Sequence, residues 1–226
     1  MKSISELIKE RLIIQNLAER LYCKDYGYLW KKGLYQGNDS FEALKMKYGS
    51  IPLTRQMIIN LFAEGNYYDG FMCAMIWGGI GNNIKGKAIF NSVFSKTNKK
   101  EIVDKLKRVI RILQNGDVKT AYSTLQYGGE NKIEGIGESF FTKLLYFAGA
   151  KMDSLPIKPL IYDHIMDEAY NDILILTKSK IPNDPFERYE DYCQKMDELC
   201  CLLNLPTSGH VEALLFCPGI RDAIFT

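Results

Sequence analysis

Histidine is almost missing from this chain of 226 residues; there are two, His164 and His210. That argues against a His-rich metal site, and no metal ligand set is expected. Long apolar runs are missing as well. No stretch of about twenty apolar residues occurs, so no membrane-spanning helix and no membrane partner are expected. The stretch MKSISELIKERLIIQNLAERLYC scatters charges among its apolar residues. It reads as an amphipathic helix and not as a secretory leader. Strand signals are scarce. Period-2 alternation with β-branched enrichment shows at most near residues 172–176, too short a stretch to build a sheet on. There is no repeat of twenty to fifty residues and no low-complexity segment. Six cysteines, at 23, 73, 193, 200, 201 and 217, sit mostly inside apolar helical patterns. They read as reduced, mostly buried thiols of a cytoplasmic protein.

What is present is helical. Hydrophobic residues make up 46% of the chain and charged residues 25%, as in an ordinary globular protein. The length suits one large domain or two small lobes with a real core. Apolar periodicity predicts helices over 3–23, 39–48, 53–64, 67–77, 85–95, 98–114, 117–126, 137–148, 162–171, 185–203 and 208–216. Asn98 and Glu101 read as a capping box, Gly116 as a helix stop, and Asn183-Asp184-Pro185 as a helix start. WGGIGNN (77–83) lacks both the dinucleotide fingerprint and the Gly-Lys-Ser/Thr of a phosphate loop, and reads as a plain helix stop. The fold class expected is all-α.

Net charge is +2, but it is uneven. Residues 85–119 carry ten Lys/Arg against three Asp/Glu, and residues 163–203 carry four against ten. The basic block suits a phosphate-facing surface; two solvated helix faces would look the same.

The informative stretch is KIEGIGESFFTKLLYFAGAKMDSLPIKPLIYDHIMDEAY, Lys132 to Tyr170. Gly135 and Gly137 flank Ile136. Two glycines around one aliphatic residue permit a tight turn with positive φ and leave the backbone uncovered. Ile136 can plug into the core. The amides of Gly137, Glu138 and Ser139 then point outward at a helix N-terminus, where a phosphate oxygen is well received. Downstream, Asp163 sits at the start of the next helix. A carboxylate there is held ionised by the helix dipole, and a plain N-cap would use the same residue.

The Gly-Ile-Gly that opens this helix, followed by an Asp after a loop, resembles the helix-hairpin-helix DNA glycosylases. GIGESFFTKLLYF with PLIYDHI is most similar to a bacterial group of 8-oxoguanine-glycosylase-like proteins. The motif covers about forty residues, and the all-helical background agrees with it. The resemblance implies two helical lobes around a cleft, with 1–226 forming one glycosylase-like unit. Within it, 1–52 would be N-terminal helices and 53–127 a helical lobe. The hairpin and its Asp would occupy 128–171, and helices of 172–226 would close the first lobe. It implies that Gly135, Ile136, Gly137, Glu138, Ser139 and Lys132 grip DNA. Carbonyls near the turn could ligate a monovalent cation, and no other cofactor is required. Asp163 matches the family's catalytic Asp, which would stabilise an oxocarbenium-like sugar as the base departs.

The chain departs from the family pattern in three places. Bifunctional members carry a Lys two residues after the second Gly of the turn; here Ser139 stands there, as in the mismatch adenine glycosylases. That favours a water nucleophile and base excision without strand cleavage. Lys143, however, lies four residues on, along the same helix face, among Phe140, Tyr146 and Phe147. Partial desolvation there would make it nucleophilic and open a lyase route. The loop from Gly137 to Asp163 is also longer than usual, which suits Lys143 as the partner. Finally, Cys193 and Cys200 match only the first spacing of the endonuclease III cluster, so no iron–sulfur cluster is expected.

A flipped base needs an apolar or aromatic slot. Trp77 and Tyr67 in the first lobe, and Phe216 near the C-terminus, are candidates. The expected function is excision of a damaged or modified base, an 8-oxoguanine-like purine favoured, from double-stranded DNA by a monomer. A non-catalytic hairpin clamp on DNA, a glycosylase acting on hypermodified phage bases, and a helical interaction module are the alternatives.

Overall fold

The computed structural model describes residues 4–26, 30, 38–79, 84–96, 98–217 and 219–220. Helices form at α1 (Ile4–Tyr22), α2 (Asp39–Tyr48), α3 (Arg55–Ala63), α4 (Tyr67–Trp77) and α5 (Ile84–Asn91). They continue with α6 (Lys99–Gln114), α7 (Val118–Leu125), α8 (Glu138–Gly149), α9 (His164–Thr177), α10 (Pro185–Leu203) and α11 (Ser208–Leu215). Among the described residues there is no strand, and no helix is long and apolar enough to cross a membrane. The fold is all-α, and most helix ends fall within two residues of the periodicity.

Two stretches differ from expectation. α5 ends at Asn91 and passes into a π-helical turn at Ser92–Lys96. α9 runs on to Thr177, so residues 172–176 are helix and not a short strand. Met166, Ala169, Tyr170, Ile173 and Leu174 are buried at helical spacing, while Ile175 and Leu176 are exposed. The apolar run Ile173–Leu176 satisfies either period, and the buried face upstream decides it. Lys178, at a φ of 55°, then ends the helix in the left-handed region.

The chain forms two compact units, Asp25–Ile161 on the one hand and Met1–Lys24 with Tyr162–Thr226 on the other. In the 25–161 unit, α4 and α8 are the interior elements. α4 packs on α3, α6 and α8 and is buried from Phe71 to Ile76. α8 is buried from Phe141 to Gly149, its two polar residues Thr142 and Lys143 included. α6 is amphipathic: Ile102, Leu106, Val109, Ile110 and Leu113 face the core, and Lys100, Lys107, Arg108 and Arg111 face out. Its start is half of the expected capping box. Asn98 accepts the Lys100 amide at 2.8 Å, but Glu101 pairs with the Lys105 ammonium at 2.7 Å. An ammonium one turn along is a stronger partner than a single amide. At the other end Gly116 adopts a φ of +80°, the stop expected of it.

In the other unit, α1 packs on α11, and α11 on α9 and α10. His210, buried on α11, stacks on Tyr22 at 4.0 Å and lies 3.0 Å from the Glu19 carboxylate, tying the N-terminal helix down. Tyr170, Tyr189 and Tyr192 are fully buried at the α9–α10 contact. Asp184 starts α10 by accepting the amides of Phe186 and Glu187 at 2.9 and 3.0 Å, with Pro185 in the first turn. Asp184→Ala should therefore cost about 1 kcal/mol of stability, read as a lowered urea midpoint at unchanged slope.

Candidate active site

The hairpin belongs to the 25–161 unit and is fastened from α6. Lys105 donates to the Lys132 carbonyl at 2.8 Å, and Arg108 Nε donates to Asn131 Oδ1 at 2.7 Å. Asn131 is fully buried, and its backbone N–H donates to the Thr124 carbonyl at 2.9 Å. These bonds hold the loop between α7 and α8 against the helix pair behind it. Ile133 and Ile136 are buried, and the Ile136 amide donates to the Ile133 carbonyl at 3.0 Å, closing the turn. Ile136 is thus the plug that the sequence suggested.

The two glycines of the turn do different things. Gly135 has a φ of +81°, which L side chains rarely adopt. Gly137 has a φ of −96° and a ψ of −176°, extended backbone open to any residue, and is the N-cap of α8. A Cβ at Gly137 would meet nothing within 4 Å. No side chain caps α8. Among the described residues no hydrogen bond engages the amides of Gly137, Glu138 and Ser139. The Glu138 carboxylate is turned aside to accept from the Tyr122 hydroxyl. A bare helix N-terminus with uncovered backbone is what an anion can approach closely.

One turn into α8 lies Lys143, only 4% exposed. Its Nζ donates to the Ser139 carbonyl at 2.7 Å, so the two positions do share a helix face. The Phe140 ring centroid is 5.4 Å from Nζ. The aliphatic stem runs past Gly78, where a Cβ would come within 2.7 Å of both Cδ and Cε. Gly78 therefore serves twice: it is the C-cap of α4 and it leaves the channel that the Lys143 stem fills. The helix stop was legible; the second role was not, because it depends on a residue sixty-five positions away. Residues 80–83 of the WGGIGNN stretch lie outside the described residues.

Asp163 belongs to the other unit, where it is the N-cap of α9. Its Oδ1 accepts the Met166 amide at 3.3 Å, and the residue is half-buried. Around it, Tyr162 donates to Asp167 at 2.5 Å, and Arg188 pairs with the same carboxylate. Burial pushes the Tyr162 phenol well up, with the Asp167 hydrogen bond and charge adding to it. Burial likewise pushes the Tyr192 phenol well up, and Glu212 and Asp163 are among the neighbours that contribute. Both phenols stay protonated, and that of Tyr162 donates to Asp167. His164 is exposed and pairs with Glu168 at 3.2 Å, a surface arrangement.

The candidate base-pocket residues fall in both units, Tyr67 and Trp77 in 25–161 and Phe216 in the other. Tyr67 and Trp77 are the first and last residues of α4, about 15 Å apart along its axis. Tyr67 lines a small cavity of about 240 Å3 with Phe62 and Lys151. Trp77 carries the Arg55 guanidinium at 4.6 Å over its ring and has Tyr26 and Phe147 edge-on at 5.4 and 5.5 Å. Arg55 is buried and also lies 5.4 Å from the Tyr146 ring. Sequence reading missed Arg55, since a single Arg at a helix start reads as solvated. Phe216 belongs to the other unit and is 43% exposed at the end of α11. Among the described residues no three of His, Cys, Asp and Glu converge as a metal site. Lys132, half-buried, lies 3.3 Å from Glu134.

Gly135→Ala should cost about 1–2 kcal/mol of stability, because its φ is left-handed. Gly137→Ala should cost less, about 0.5 kcal/mol, because its backbone is unstrained and Ala is only a poorer N-cap than Gly. Urea denaturation of the two variants side by side checks this contrast.

The sequence profile of the family described as "Putative 8-oxoguanine DNA glycosylase OGG-like protein" matches residues 28–216. No curated protein and no solved structure matches the chain. The matched span contains the hairpin, Lys143 and Asp163, and it covers most of the chain: the protein belongs to this OGG-like family.

Proposed function

We propose that the protein is a DNA N-glycosylase that removes an 8-oxoguanine-like purine, with Lys143 as nucleophile and Asp163 as the stabilising carboxylate. Family membership supports the reaction class and DNA as the partner. The observation that carries the assignment of Lys143 is its burial. A Lys ammonium is rarely taken out of water, because desolvation is costly, and such a side chain in a functional motif is commonly there to react. Here it sits on the helix that the hairpin opens, with its stem confined beside Gly78 and its nitrogen directed at the Ser139 carbonyl.

The chemistry follows from these groups. The hairpin amides bind the DNA backbone by the positive end of the α8 dipole. Lys143, after giving up a proton, attacks C1′ of the deoxyribose through its Nζ lone pair. The bond from C1′ to the base breaks, its electron pair leaves with the base, and a proton follows it. The resulting amine adduct opens to an imine, from which β-elimination cuts the strand. The ionised Asp163 carboxylate stabilises the positive charge that develops on the sugar. Turn carbonyls beside Ile136 are oxygen donors of the kind a hard monovalent cation takes, and would hold one without taking part in bond changes.

Base release from duplexes bearing 8-oxoguanine, uracil, alkylated or hypermodified bases tests this. Asp163→Asn keeps an N-cap of similar strength and removes only the charge. It should lower the rate a hundredfold or more, on the order of a lost electrostatic stabiliser. Lys143→Gln should abolish strand cleavage and the borohydride-trapped adduct. Undiminished release by Asp163→Asn would contradict the role of the carboxylate. Release confined to hypermodified bases would point to phage DNA as the substrate. DNA binding without release from any substrate would leave a non-catalytic clamp.

A further inference from the structure

Tyr127 is 93% exposed, an unusual position for an aromatic ring on a short, well-bonded loop. The backbone around it is built to hold it there. The Gly129 amide donates to the Gln126 carbonyl at 3.0 Å, making a turn with Tyr127 and Gly128 at its centre. Gly128 has a φ of +81°, as the third residue of a type II turn requires. Gly129 has no room for a side chain: a Cβ would lie 2.3 Å from the Thr124 carbonyl oxygen. Two glycines with distinct constraints therefore fix a turn whose apex is an uncovered phenol ring. Nothing in the core uses that ring.

The same ring lies at one side of a surface groove of about 580 Å3 whose other side is the Gly135–Gly137 turn. Lys132 lines the groove between them, its Nζ 4.4 Å from the Tyr127 ring centroid. The groove thus combines an aromatic face, a cation and the uncovered backbone at Gly137. That set suits a nucleic acid strand, which offers phosphates and flat π-faces at regular intervals. A ring needs an open base face to stack on, and a fully stacked duplex offers none in its interior.

We propose that Tyr127 is a stacking contact for an unstacked nucleobase of a DNA strand whose phosphates run along the hairpin, with Lys132 as a phosphate contact of the same groove. The inference rests on the hairpin being a DNA-binding element. Binding displaces Lys132 from Glu134 toward a phosphate, while the ring meets the base.

Equilibrium binding by fluorescence anisotropy tests it, using one duplex with a single-nucleotide bulge and one fully paired. Tyr127→Ala should weaken binding to the bulged duplex roughly five- to a hundredfold, with Tyr127→Phe close to wild type. The fully paired duplex should change little. The salt slope should be unaltered by Tyr127→Ala and lowered by about one by Lys132→Gln. Unchanged binding of the bulged duplex by Tyr127→Ala, beside weakened binding by Gly137→Ala, would overturn the stacking contact and leave the hairpin reading intact. Equal weakening toward both duplexes would overturn the unstacked base as its target. If the wild type binds neither duplex, this inference and the DNA-binding reading both fail.

Discussion

Keeping the Lys143 side chain away from water is costly, and much of the 25–161 unit is arranged so that it can be done. Its Nζ donates to the Ser139 carbonyl one turn back on its own helix. The stem takes the space that a Gly at position 78 leaves open. Phe140 lies near the nitrogen, and Tyr146 and Phe147 are buried further along α8. Burial favours the neutral amine over the ammonium, and the neutral amine is the form in which a lysine is nucleophilic. Around this constraint the α3, α4 and α8 packing can be understood: three helices meet where one of them carries a buried lysine.

The hairpin in front of α8 has its own dependence. Its loop is not held by its own turn alone but by two cations of α6, Lys105 and Arg108, which reach a carbonyl and a side-chain amide of the loop. Part of the basic block of 85–119 is therefore structural. Lys99, Lys100, Lys107 and Arg111 are the other exposed cations of α6. The sequence excess of charge in this region thus serves two ends, and only contacts separate them.

Helix positions were legible because their signals are local: apolar spacing, an Asn or Asp before the first turn, a Gly after the last. The hairpin was legible for the same reason, since Gly135, Ile136 and Gly137 are consecutive. What was hidden depends on partners distant in sequence. Gly78 and Lys143 share a space that neither announces. Glu101 follows the pattern of a capping box and yet turns to Lys105. The run at 172–176 satisfies two periods, and only the buried face of Met166 and Tyr170 selects one. Tyr127 carries no periodic signal at all, because an exposed aromatic on a turn belongs to no face. That α1 joins α11 through His210 and Glu19, 191 positions apart, likewise has no local signature.

The most direct measurement is peptide mapping by mass spectrometry after the protein is incubated with an 8-oxoguanine duplex in the presence of borohydride. The account predicts one sugar–DNA remnant, carried by the peptide that contains Lys143. A remnant on a different lysine, or base release with no covalent remnant anywhere, would contradict it.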